Sequence, residues 1–92
     1  MKKFILTQLT EIEAEDIKIK VAKAETYRTL LENQFINDKE KVIIYKMHQQ
    51  AINDVKMNYN DLLKKYNLPY VKDQQYMISE ENELYIKLFY GN

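Results

Sequence analysis

Ninety-two residues with no cysteine, one glycine and one proline make one domain without disulfides, thiolate metal sites or glycine-rich phosphate loops. Fourteen basic and fourteen acidic side chains cancel, which argues against a dedicated duplex-DNA binder, whose affinity rests on neutralising phosphates. Arg28 is the only arginine, so bidentate recognition of phosphate or guanine is scarce.

Met1–Thr10 is short and half apolar. Phe4, Ile5 and Leu6 form either a brief strand or the run-in to the next helix. The apolar stretch ends at Thr7-Gln8, short of the ~7–15-residue core of a signal peptide. No stretch reaches the ~20 apolar residues of a membrane span. The expectation is a soluble, cytoplasmic protein with no membrane partner.

Thr10–Phe35 opens with a capping box, in which Thr10 accepts from the amide of Glu13 and the Glu13 carboxylate reaches back. Glu11, Glu13, Glu15 and Asp16 sit favourably at the positive end of a helix dipole. Ile17, Val21, Ala24, Leu31 and Phe35 share one face, while Ile12, Ile19 and Leu30 fall near the opposite side. Ile17–Val21 also alternates with period two, and Glu15-Asp16 could turn a hairpin. The cap, the Asp16–Lys20 pair at i,i+4 and the downstream Ala22, Ala24, Leu30 and Leu31 favour the helix. Asn33–Asp38 is the expected turn, and two long helices joined so tightly must run antiparallel.

Asp38–Tyr66 dominates the chain. Asn37 or Asp38 caps it. Ile44, Met47, His48, Ala51, Ile52, Val55, Tyr59, Leu62, Leu63 and Tyr66 recur at three- and four-residue steps, the period of one helix face. Asn67-Leu68-Pro69 stops it, because proline biases the preceding residue away from helical dihedrals. At ~1.5 Å per residue this helix spans roughly 43 Å. A compact 92-residue domain has a radius of gyration of about 12 Å, so the helix overhangs. A second copy covering the overhang is the preferred explanation, through Ile44, His48, Ala51, Val55, Tyr59 and Leu62.

Pro69–Gln75 reads as a loop. Tyr76–Ser79 and Leu84–Phe89, flanking Glu80–Glu83, read as a β-hairpin. The alternative is a short third helix capped by Ser79 and stopped by Gly91. A hairpin is marginal alone and needs a partner such as the Phe4–Leu6 segment.

No residue constellation demands catalysis. His48, the only histidine, lies on the apolar stripe with Ile44 and Ile52 one turn away, which suits an interface histidine better than a base or metal ligand. Dipole and solubility roles explain the acidic clusters. Lys18, Lys20, Lys23 and Arg28 spread around a helix and form no stripe. Tyr70, Tyr76, Tyr85, Phe89 and Tyr90 concentrate in the last third, and tyrosine is enriched at interface centres.

The expected fold is mainly α: a long antiparallel helical hairpin with a small C-terminal β-hairpin or short third helix. It forms one domain over 1–92, with an appendage over 70–92. The expected function is non-enzymatic: a homodimeric protein–protein interaction module, an adaptor, regulator or inhibitor without cofactor or metal. Tyr70, Tyr76, Tyr85, Phe89 and Tyr90 would contact another protein. The bias toward Lys, Asn, Ile and Tyr fits a low-GC bacterial or phage source and a phage accessory role. A nucleic-acid-binding regulator using the basic part of the first helix is the alternative.

Overall fold

Two capping boxes start the two helices. In the computed structural model, which describes residues 2–70 and 74–88, these are α1 (Glu11–Leu31) and α2 (Asp38–Lys65). The Thr10 hydroxyl accepts from the Glu13 amide at 3.2 Å, and the Glu13 carboxylate accepts from the Thr10 amide at 3.0 Å. Asn37 and Glu40 repeat the exchange at 2.8 and 3.2 Å. Each box satisfies two of the amides that a helix start leaves without partners.

The period-two stretch Ile17–Val21 is helical. Ile17 is fully buried while Ile19 is 59% exposed, so the alternation reflects one inward and one outward position on a helix. Glu13 meets Lys65, and Lys20 Nζ donates to Asn58 Oδ1 at 2.7 Å. Partners that descend along α2 as they ascend along α1 make the hairpin antiparallel. Asn33 shapes its tip by accepting from the Phe35 amide at 2.8 Å.

The stop of α2 precedes the proline. Asn67 takes a left-handed φ of 54°. Its amide donates to the Lys64 carbonyl at 3.1 Å, and the Leu68 amide donates to the Leu63 carbonyl at 2.8 Å. This paired closure is a Schellman motif, and Leu68 packs against the cluster that holds Leu63, as the motif favours.

The first segment is strand β1 (Lys2–Gln8), and the last forms β2 (Tyr76–Ile78) and β3 (Glu83–Leu88). The terminal segment is therefore a hairpin and not a third helix. Its turn closes through the Asn82 amide donating to the Ser79 carbonyl at 3.1 Å, with Asn82 left-handed at φ 63°. The sheet is antiparallel in the order β1-β3-β2. The register shifts between Ile5 and Thr7, which leaves Leu6 as the extra residue of a bulge.

Leu9, Ala14, Ile17, Leu62, Leu63 and Leu84 form the core. Full burial of Ile17 and Leu84 contributes about 1.5–3 kcal/mol each. These residues come from the β1–α1 link, the start of α1, the end of α2 and the sheet, so the core occupies one end of the molecule. Between Lys18 and Gln50 no residue is buried. That length of hairpin projects as a two-helix arm with its tip near Phe35. The shape follows: a radius of gyration of 15.4 Å and extents of 43 × 37 × 22 Å, against about 12 Å for a compact chain of this size.

Candidate functional site

Where the arm leaves the sheet, a groove of about 950 Å³ opens. Val21 and Ala24 of α1 with Ile52, Val55 and Tyr59 of α2 make its apolar lining on the helices. Tyr76, Met77 and Ile78 of β2 bound it on the sheet side, with Tyr70 alongside. The Tyr59 and Tyr76 rings lie 5.7 Å apart between centroids, and Tyr70 and Tyr76 lie 6.2 Å apart. Burial pushes the Tyr59 hydroxyl up to about 12, so it remains neutral. Tilted rings at such separations hold one another.

Charges sit on the rim. Lys18 Nζ donates to Asn82 Oδ1 at 3.2 Å. The Glu25 carboxylate is taken by Arg28, with Nη2 at 2.6 Å. Lys56 lines the groove and forms no ion pair among the described residues.

The groove joins residues that the sequence assigns to two different surfaces. Tyr70 and Tyr76, expected to face a partner, line it with Val55 and Tyr59, expected to face a second copy. Tyr85 lies apart. It alternates with buried Leu84 and Ile86 and so faces the other side of the sheet, where Lys3 Nζ sits 4.7 Å above its ring. Phe89 and Tyr90 fall outside the described residues. Ile44 and His48 are half-buried on the arm. Ala51 and Leu62 are 3% and 5% exposed, so their contacts are made within the chain. The α2 stripe is used first by α1 and the sheet, and a sequence period cannot separate that packing from packing on a second copy.

Two features exceed the sequence reading. The first is a run of exposed apolar residues on the arm, Val42, Ile43, Tyr45 and Met47, below Phe35 at the tip. The contiguous Val42–Tyr45 is its signal in the sequence. The second is a latch. Lys65 Nζ and the Tyr66 hydroxyl both donate to the Glu13 carboxylate. These bonds, Lys65 first, pull Glu13 down from 4.5 to about 2 and outweigh the opposing effect of burial. Lys65 and Tyr66 are each pushed up, first by their own bond to Glu13. Glu13 is thus engaged on every side by structural partners. Nothing in the sequence ties it to residues fifty positions away.

No cluster among the described residues brings three His, Cys, Asp or Glu side chains together as a metal would need. Two basic residues of α1 are engaged within the chain: Lys20 by Asp16 at 3.0 Å and by Asn58, Arg28 by Glu25 and Glu32. No helix among the described residues is long and apolar enough to cross a membrane. Comparison with protein-family models, with curated proteins and with solved structures finds no match.

Proposed function

We propose that this chain is a non-enzymatic protein–protein interaction module that self-associates through its helical arm. It works in the cytoplasm as an adaptor, regulator or inhibitor by occupying another protein's surface. The observation that carries this reading is the arm itself. Phe35 is 86% exposed, Val42 57%, Ile43 60%, Tyr45 55% and Met47 44%, on a stretch in which no residue is fully buried. Consecutive exposed apolar residues have a cost that only a covering surface offsets. The absence of cysteine fits a reducing compartment.

The outer side of the sheet, with Tyr85 beside Ile5 in register, is the surface left for a different protein. Light scattering over a dilution series should return a multiple of 11.1 kDa. A monomer mass at every concentration would overturn self-association and make the bare arm the partner surface. Tyr85→Ala should lose partner capture with helicity unchanged, and capture that survives would remove Tyr85 from the site.

A further inference from the structure

The groove and exposed Tyr45 lie along one stripe of α2, and the Phe35 tip lies beyond its upper end, at spacings that suit one symmetric contact. Tyr45, His48, Ile52, Val55 and Tyr59 recur at steps of three and four, so they share one stripe of α2. Its lower part, Ile52, Val55 and Tyr59, lines the groove. Its upper part carries exposed Tyr45 and half-buried His48 toward the tip. From the tip at Phe35 to the groove rim at Lys56 is about 30 Å along the helix axis. Tyr45 falls midway.

We propose that two copies pack antiparallel, arm on arm, with the Phe35 tip of each entering the groove of the other. In an isologous contact, residue i of one copy meets j of the other and j meets i. Placing the two-fold axis beside Tyr45 brings both tips to both grooves at once and sets the two Tyr45 side chains against each other. Any other axis position leaves a tip or a groove uncovered. This inference rests on the self-association argued above and specifies its geometry.

Three observations favour a second copy over other occupants. The first is size. Two helices about 10 Å wide over about 30 Å of arm give a face of ~600 Å² in projection, close to the ~800 Å² per partner of a stable interface once its ridges are counted. The second is charge. Lys56 at the groove and Asp38 at the tip have no ion-pair partner within the chain among the described residues, and the antiparallel arrangement brings them within about a helical turn of each other. The third is shape. The groove has an aromatic wall in Tyr59 and Tyr76, and the most exposed large apolar side chain on the arm is the aromatic Phe35.

The cysteine-free sequence makes the test direct. Phe35→Cys and Lys56→Cys, both at exposed positions, are purified separately, mixed and oxidised. A disulfide needs Cα atoms within about 7 Å. The expected product is a covalent dimer from the mixture, with neither variant cross-linking to itself. Phe35→Glu should weaken dimerisation about tenfold or more with the circular dichroism spectrum unchanged. A dimer that cross-links Phe35→Cys only to itself would overturn the arrangement while leaving self-association standing. So would a wild-type dimer whose affinity ignores Phe35→Glu. A wild-type monomer at all concentrations would overturn both.

Discussion

Glu13 shows how much one side chain can join. It closes the capping box of α1 and accepts from Lys65 and Tyr66 at the end of α2, with its side chain 13% exposed. Its pKa falls from 4.5 to about 2, so the folded form binds the proton less readily than the unfolded chain. A depressed carboxylate contributes stability in full above its unfolded value and loses it as pH falls through its folded value. The window for this latch therefore runs from about 4.5 down to about 2. Glu13→Gln keeps a residue compatible with the capping box but removes the charge. Denaturant unfolding at a series of pH values should show lower stability at neutral pH and a flatter decline across that window. An unchanged decline would mean that other carboxylates govern the acid limb. The cap was legible in the spacing of Thr10 and Glu13, whereas the long-range partners were not, because no local pattern encodes a contact made by folding.

At the scale of elements, local chemistry wrote most of the boundaries. Both helix starts follow from short polar residues three positions before a glutamate. The end of α2 is subtler. The proline was the visible signal, yet Asn67 makes the closure by accepting a left-handed φ of 54°. Asparagine tolerates that region better than other non-glycine residues. Asn67→Ala should therefore lower stability by about 1 kcal/mol, while Asn67→Gly should leave it unchanged or slightly raised. Thermal unfolding of the pair checks this, and equal melting temperatures for the two variants would refute the strained-turn account. The β-segments were ambiguous for a different reason. Residues 2–8 and 76–88 are too short for either period to dominate, so the choice between strand and helix falls to pairing. Lys2–Gln8 finds β3, which gives the terminal hairpin the third strand it needs.

For the whole molecule, the governing fact is that one end is built around a core and the other is not. Leu84 is fully buried and faces both helices' contribution to the core. Leu84→Ala should cost about 2–5 kcal/mol through lost burial and the cavity left behind. Circular dichroism melts at several protein concentrations would report both halves of the architecture. The melting temperature of the wild type should rise with concentration, as expected when association favours the folded form. Leu84→Ala should lower it at every concentration.

The sequence by itself determined the two helices, their caps, the tight antiparallel turn and the excess length of α2, because these depend on neighbours a few residues apart. It also carried the concentration of tyrosines. Tertiary structure alone decided which apolar residues were already spoken for. Ala51 and Leu62 turned inward, Tyr70 and Tyr76 joined Val55 and Tyr59 in a groove, and Tyr85 was sent to the other face of the sheet. The physical reason is that helical period reports a face but not its occupant. The same spacing serves packing on α1, on the sheet or on another molecule, and only the positions of all three layers separate them.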